Sequence, residues 1–294
     1  MASTQSTPEM VTQVAKLRPR QSDGNKGNYG RILVVAGCRG MSGAAVLCAS
    51  GALRSGAGLV RLAVPEEILP LVAVANPCYT TAPLPQDDYG RLDEQAGEDL
   101  LALAEADDVM AIGPGIGRSE AITNLVLLLL EQARIPLVID ADGINGLRGN
   151  AKQLTNRAGP TILTPHPGEF ARLLFTDVPT VESQRQDLAV RFAADHGVVL
   201  VLKGHRSIVT DGKQVYTNPT GNPGMATGGS GDVLTGVIAA LLGQKMNPFD
   251  AAQLGVYVHG LAGDLARDAI GEVSLIATDL LTYLPAAFKL TGGA

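Results

Sequence analysis

The chain of 294 residues contains only three cysteines, Cys38, Cys48 and Cys78, and only four histidines. The cysteine count is odd, no CxxC spacing occurs, and the histidines show no HExxH pattern. A disulfide framework requires paired cysteines and a structural zinc site requires clustered ligands, so the sequence argues against both. Sparse cysteine of this kind fits a reducing compartment, and we expect a cytoplasmic protein.

Long apolar runs are also lacking. The longest, residues 125–130, is far shorter than the roughly 20 residues that a membrane-spanning helix needs. The first residues show no basic region followed by an apolar stretch, so we expect no signal peptide. The sequence therefore predicts no membrane segment.

Basic residues are outnumbered, with 23 Lys and Arg against 29 Asp and Glu and a formal net charge of −6. No basic block interrupts this acidic balance, which makes nucleic acid or an anionic membrane surface a poor partner. Any nucleotide that binds must be held by backbone N–H groups and a few local cations.

Glycine, by contrast, is abundant at 35 residues, without the G-X-Y period of collagen. Hydrophobic residues make up 46% of the chain, enough for a sizeable core. There is no internal repeat and no linker, so we predict a polar lead-in at 1–27, helical or frayed, followed by a single domain at 28–294.

Apolar strand segments alternate with helical patterns along this domain. The alternation predicts an α/β protein with three α/β/α layers and a mostly parallel central sheet, whose ligands sit at the carboxyl ends of the strands. A β-ribbon is expected at 206–217, with its turn at Asp211-Gly212. Strands are expected at 31–36, 59–64, 109–112, 137–140, 161–164 and 198–202, and helices at 44–55, 93–105, 119–133, 180–195, 230–243, 249–268 and 276–289.

The most informative segment is 224–236, GMATGGSGDVLTG, which runs into an apolar helical pattern. A glycine-rich loop at a helix N-terminus offers free N–H groups and partial positive charge to a phosphate. A carboxylate there would be repelled by the phosphate unless it had a function. Asp232 is therefore a candidate general base, and an N-terminal cap or dipole partner is the alternative.

Other strand ends carry weaker signals. The loop GPGIG at 113–117 lacks GxGxxG spacing, so it is either a rigid loop that approaches a ligand or a simple turn. Asp140 ends a strand, where a carboxylate can hold Mg²⁺. Asp142 and Asn145 are better explained as turn residues, because Gly143 lies between them. The absence of GxxxxGK[ST] excludes a P-loop kinase.

Two further segments have open interpretations. Glu169, three residues after His166, could orient a Mg²⁺-bound water or complement a helix dipole. The segment KGHRS at 203–207 could wrap a nucleotide phosphate and ribose or form a basic surface turn. His196 and His259 are assigned no role.

Taken together, these loops resemble the ribokinase-like superfamily and, more narrowly, the ADP/ATP-dependent NAD(P)H-hydrate dehydratases. The GSGD motif at 229–232 implies the superfamily, and TPHPGE at 164–169 narrows the resemblance. The resemblance covers about residues 27–290 of the chain. The remaining matching segments are 40–49, 54–60, 113–117, 140–145 and 201–204.

The resemblance implies a lyase that repairs the S epimers of NADHX and NADPHX, the hydrated forms of NADH and NADPH. ADP, favoured over ATP, would phosphorylate the C6 hydroxyl with Mg²⁺, and phosphate elimination would follow. A small-molecule kinase of the same superfamily and a non-catalytic nucleotide-binding module are the alternatives. The implied functional partner is the NAD(P)HX epimerase. We expect it to be a separate protein, because about 27 residues before the match are too few for an epimerase domain. A homotetramer is also expected.

Individual roles follow from the same resemblance. Asp232 would deprotonate the substrate hydroxyl, and Glu169, through water, and Asp140 are the candidates for Mg²⁺. The residues expected to contact the hydrated dinucleotide are Ala44, Gly115, Gly117, His166 and Asp232. Those expected to bind ADP or AMP are Lys203, Gly204, His205, Arg206, Ser207, Gly229, Ser230 and Gly231.

Overall fold

A computed structural model describes residues 7–292. At its centre is a ten-stranded sheet in the order β1-β10-β9-β8-β7-β6-β5-β2-β3-β4. The strands are β1 Glu9–Met10, β2 Arg31–Val35, β3 Leu59–Pro65, β4 Thr80–Leu84, β5 Val109–Ile112, β6 Leu137–Ile139, β7 Thr161–Leu163, β8 Val199–Leu202, β9 Ile208–Thr210 and β10 Gln214–Thr217.

The strands from β4 through β3, β2, β5, β6 and β7 to β8 are all parallel, while β9 is antiparallel to both β8 and β10. The central strands are buried along their length, as a parallel sheet covered on both faces requires. The predicted mostly parallel sheet and the predicted ribbon at 206–217 are confirmed.

Helices cover both faces of the sheet. The helices are α1 Ser42–Arg54, α2 Leu69–Ala75, α3 Ala96–Ala106, α4 Glu120–Gln132, α5 Ala141–Gly146, α6 Pro167–Leu174, α7 Val178–Ser183, α8 Arg185–His196, α9 Ser230–Gly243, α10 Pro248–Ile270 and α11 Ala277–Leu290. Short 3₁₀ turns lie at Lys26–Tyr29, Glu66–Ile68, Ala151–Asn156 and Pro223–Met225.

The core divides into two layers because side chains alternate across a strand. In β2, Ile32 and Val34 pack into the core that α1, α9, α10 and α11 cover. Leu33 and Val35 face the core under α3, α4, α6 and α8. The three-layer architecture predicted from the sequence is therefore confirmed.

Helices α1 and α9 cross at unusually short range. A Cβ atom on Gly236 would lie 1.9 Å from the Cys48 carbonyl oxygen, and one on Gly51 would lie 2.6 Å from the Val233 oxygen. Only glycine permits such an approach. The small-residue helix predicted at 44–55 is thus a packing face for α9, and this contact fixes the position of the first turn of α9.

The lead-in differs from the prediction of a helical or frayed segment. Glu9–Met10 is a strand that pairs with β10, and Leu17 packs against the core. The Gln253 side chain accepts from the Ala15 amide at 3.0 Å and donates to the Gln13 oxygen at 2.9 Å. Hydrogen bonds to the backbone of this segment hold it in place, and a polar composition does not predict such bonds. The domain boundary at residue 27 stays a prediction.

Three other differences concern local detail. The helix predicted at 180–195 is divided at Gln184 into α7 and α8. Asp140 and the segment 141–145, expected as a strand end and a loop, form the N-cap and body of the short helix α5. Helix α2 and strand β4 were not expected from the sequence. Within residues 7–292, no helix has the length and apolar character that crossing a membrane demands.

Candidate functional site

The first turn of α9 is open to a ligand. Gly229 forms its N-cap with a φ of 91°, and no side chain caps the helix. A Cβ at Gly229 would also lie 2.4 Å from Leu47 Cδ1, so the position requires glycine. The amides of Gly231 and Asp232 donate to no protein acceptor within the described residues. They remain available for an anion, as the sequence predicts.

Asp232 lies at the third position of this helix and is half-buried. Because it makes no cap hydrogen bond, the alternative of an N-terminal cap is wrong, while its place in the first turn agrees with the alternative of a dipole partner. Burial, followed by the Asp140 carboxylate, raises the pKa of Asp232 to about 7, and Lys203 opposes the shift. A carboxylate whose pKa is near neutrality suits a general base.

A buried polar group lies under this turn. Lys203 Nζ donates to Asp140 Oδ1 at 2.7 Å, and Thr235 Oγ1 donates to Asp140 Oδ2 at 2.7 Å. Burial alone would lower the pKa of Lys203, but the carboxylates around it, Asp140 first, raise it above its usual value. A Cβ on Gly231 would lie 3.1 Å from Lys203 Nζ. A fixed cation and free backbone amides thus converge at one point.

Strain in the backbone positions Asp140. Ala141 has a φ of 47°, which for a residue other than glycine costs on the order of 1–3 kcal/mol. On the other side, a Cβ on Gly113 would lie 1.9 Å from the Asp140 carbonyl oxygen. Asp140 is only 1% exposed, with both carboxylate oxygens engaged by protein donors. It is therefore placed to hold Lys203 and Thr235.

His166 and Glu169 form a capping box at the start of α6. The Gly168 amide donates to His166 Nδ1 at 3.0 Å, and the His166 amide donates to Glu169 Oε2 at 2.9 Å. Because Nδ1 accepts, the neutral ring carries its proton on Nε2, 3.3 Å from Glu169 Oε1. Burial, followed by the charge of Lys203, lowers the pKa of His166, while burial raises the pKa of Glu169.

Two residues expected to contact the hydrated dinucleotide, Gly115 and Gly117, lie along the loop after β5, and a third, Ala44, lies on α1. A Cβ on Gly115 would lie 2.8 Å from Ala44 Cβ, so these two residues are adjacent. The Gly117 amide donates to Asp142 Oδ2 at 3.0 Å. Gly113, Gly115 and Gly117 all have positive φ, which makes the segment a tight loop rather than an extended turn.

A cavity of about 500 Å³ opens beside the first turn of α9, where Ser230 and Gly231 line it. Apolar side chains, among them Met225, Leu234 and Val256, form part of its wall. All but one of the residues expected to bind the adenine nucleotide line it; Gly229 is the exception. The lining set is Lys203, Gly204, His205, Arg206, Ser207, Ser230 and Gly231.

Several residues of the site gave no signal in the sequence. His259 lies 2.9 Å, through Nε2, from the Ser230 carbonyl oxygen. Burial lowers the pKa of His259 to about 4, so the neutral ring donates this bond near neutral pH. Arg185 donates to the Lys203 oxygen at 3.1 Å and supports the loop that follows. The members of these two pairs are 29 and 18 residues apart in the chain, so no local sequence pattern predicts the contacts.

No group of three or more His, Cys, Asp or Glu side chains that could hold a metal occurs among residues 7–292.

The sheet topology and the glycine-rich helix start define the ribokinase-like fold. A ribokinase-like superfamily protein from Enterococcus faecalis aligns with a TM-score of 0.79 and 28% identity over 94% of this chain and 92% of its own. The NAD(P)H-hydrate dehydratase family model matches residues 32–286. The chain belongs to the NAD(P)H-hydrate dehydratase family, which confirms the resemblance read from its motifs.

Two relatives show the extent of the similarity. The ADP/ATP-dependent NAD(P)H-hydrate dehydratase of Bacillus subtilis, co-crystallised with ATP and Mg²⁺, aligns with a TM-score of 0.79 and 32% identity over 94% of this chain and 95% of its own. The bifunctional NAD(P)H-hydrate repair enzyme Nnr of Moorella thermoacetica is 46% identical over 273 residues, covering 92% of this chain and 51% of the relative. The chain spans about half the length of the curated relatives it matches.

Proposed function

We propose that this protein dehydrates the S epimers of NADHX and NADPHX to NADH and NADPH, with ADP or ATP as the phosphoryl donor and ADP favoured. One observation carries the proposal: Asp232, with a pKa of about 7, stands beside two free amides and Lys203, and its neighbour Gly231 lines a cavity of about 500 Å³. Membership of the dehydratase family supports the choice of substrate.

The chemistry runs in two steps. Asp232 accepts the proton of the C6 hydroxyl while that oxygen attacks the terminal phosphorus of the donor. The bond from phosphorus to the bridging oxygen breaks, so ADP leaves as AMP and ATP leaves as ADP. The phosphate then departs from C6 with the electron pair of its C–O bond, and a proton leaves the adjacent ring carbon. The ring double bond is restored, and the hydroxyl oxygen leaves within inorganic phosphate.

The chain's own groups supply positioning and charge neutralisation, which dominate phosphoryl transfer. The Gly231 and Asp232 amides hold the transferring group, and Lys203 offsets its charge from the side. The donor nucleotide occupies the cavity lined by residues 203–207. Ala44, Gly115, Gly117 and His166 hold the hydrated ring on the opposite side of Asp232.

Magnesium fits this arrangement as an ion carried mainly by the donor's phosphates. Mg²⁺ prefers water and phosphate oxygens with one or two carboxylates, and few protein oxygens are uncommitted here. Both oxygens of Asp140 accept protein hydrogen bonds, so Asp140 is the poorer ligand. Glu169, buried beside Lys203, is the residue that would hold the ion through water. When bound, the ion would neutralise phosphate charge.

The NAD(P)HX epimerase is the partner that would supply the S epimer. The bifunctional character of the curated relatives supports this pairing. The homotetramer and the cytoplasmic location stay predictions.

The test is incubation of the protein with NADHX, Mg²⁺ and either ADP or ATP, followed by absorbance in the NADH band. We expect NADH to appear, faster with ADP than with ATP, together with AMP and inorganic phosphate. Absence of NADH with both nucleotides would contradict the proposal. A stable phosphorylated compound in mass spectra, without NADH, would instead identify a small-molecule kinase.

A further inference from the structure

Two arginines are joined by a short polar chain on the substrate side of the sheet. Asp142 Oδ1 accepts from Arg118 Nε at 3.0 Å and from Asn145 Nδ2 at 3.2 Å. Asn145 Oδ1 in turn accepts from Arg172 Nε at 3.0 Å. Asp142 and Asn145, which the sequence suggested were ordinary turn residues, therefore set the orientation of both guanidinium groups.

The same chain places the arginines beside the residues expected to bind the hydrated ring. The second oxygen of Asp142 accepts the Gly117 amide at 3.0 Å. A Cβ on Gly168 would lie 2.9 Å from His166 Cε1 and 3.7 Å from Arg172 Nη1, so the Arg172 guanidinium and the His166 ring both lie beside Gly168. After burial and Lys203, the charges of Arg172 and Arg118 are among the causes that lower the pKa of His166.

Both guanidinium groups keep their outer nitrogens uncommitted. Arg118 and Arg172 each use Nε alone in the polar chain, and their Nη atoms donate to no protein acceptor in the part of the chain that the structure describes. The Arg118 side chain is 63% exposed. By contrast, Arg91 turns both Nε and Nη2 onto the Asp87 carboxylate. The hydrogen bonds from Nε thus fix the orientation of both guanidinium groups, and their Nη atoms are left to bind a ligand.

We infer that Arg118 and Arg172 bind the diphosphate of the hydrated dinucleotide. A guanidinium with two free nitrogens matches the geometry of phosphate oxygens and holds them bidentately. Neither arginine lines the cavity assigned to the donor nucleotide. A chain with a net charge of −6 repels a polyanionic substrate, so local cations must offset that field. The inference rests on the proposed function, because it specifies how the same substrate is held.

The experiment measures binding of NADH, the stable dehydrated product, by calorimetry with ADP at saturation so that the donor cavity is filled. Proteins are the wild type, Arg118→Ala, Arg172→Ala and the double variant. We expect each single variant to weaken NADH binding about 10-fold or more, since hydrogen bonds between charged groups are the stronger kind. The affinity for ADP, measured without NADH, should stay unchanged, which also shows that each variant is folded.

The matched control is Arg191→Ala on α8, which removes an exposed arginine away from this cluster and should leave NADH binding unaltered. Reduced nicotinamide riboside, which carries no phosphate, serves as a second probe. Its binding should not depend on Arg118 or Arg172.

Failure of this inference is distinguishable from failure of the proposed function. Unchanged NADH affinity in the double variant, or no NADH binding by the wild type, overturns the inference even where dehydration proceeds. An equal loss of ADP affinity also overturns it, because the arginines would then serve the donor. If NADH binding depends on both arginines but NADHX is never dehydrated, the diphosphate site is supported and the proposed reaction is contradicted.

Discussion

The Lys203 ammonium and the Asp140 carboxylate, 63 residues apart in the chain, meet at 2.7 Å where β8 and β6 end. Thr235 Oγ1, on α9, donates to the second carboxylate oxygen of Asp140, also at 2.7 Å. Both oxygens of Asp140 are therefore occupied by protein donors, whereas the Asp232 carboxylate accepts no hydrogen bond from the described residues. Of the two neighbouring carboxylates, only Asp232 is placed to accept a substrate proton.

Asp232→Asn should abolish most of the turnover while leaving the fold intact. General bases contribute about 100- to 10,000-fold to rate, and we expect a loss of kcat in that range. The Asp232 side chain makes no structural hydrogen bond in the described residues, so thermal unfolding should not move to lower temperature. The matched control is Asp99→Asn on the exposed face of α3, which should keep full activity. Full activity of Asp232→Asn would contradict its assignment as base.

The acid limb of the pH–rate profile should report Asp232. A base must be deprotonated to act, so with a pKa raised to about 7 the rate should fall as the pH drops below that value. The negative charge of Asp140 contributes to this raised pKa. Asp140→Asn removes that charge and frees Lys203, and both changes should move the limb to lower pH. Ionisation of ADP is common to the two enzymes, so the shift between their profiles isolates the protein group.

Thr235→Val should destabilise the protein and lower activity. Thr235 is fully buried, and valine would leave one Asp140 oxygen buried without its donor. Such a loss costs about 1–3 kcal/mol. Thr235→Ser keeps the hydroxyl and removes one methyl group, so it should retain the hydrogen bond and most of the activity. Equal urea midpoints for the valine variant and the wild type would show that this hydroxyl does not support Asp140.

Gly231→Ala should reduce turnover more than it reduces stability. The new methyl group would lie 3.1 Å from Lys203 Nζ, the flexible end of a side chain that can shift. It would occupy the space where the amides and the ammonium meet a phosphoryl group and push that group away from at least one donor. Loss of one such contact typically costs about 100- to 1,000-fold in rate. Gly228→Ala is the control in the same loop, because a Cβ there meets no atom within 4 Å. Similar rates for the two variants would contradict this placement of the phosphoryl group.

The sequence by itself determined the layer architecture, the parallel order and the helix on which Asp232 stands. Those features follow from local periodicity and from glycine placement, and both depend on residues that are close together in the sequence. The strand at 109–112 and the helix at 230–243 have the bounds expected. The motif at 164–169 indicated the family because its residues are contiguous.

Only the tertiary structure decided which polar residues act together. The contacts of Asp140 with Thr235, of His259 with Ser230 and of Asp142 with Gly117 join segments separated by 95, 29 and 25 residues. No periodicity encodes such pairs, because they form where separate loops meet at one edge of the sheet. The pKa of Asp232 likewise depends on burial and on neighbouring charges, which exist only once those loops are assembled.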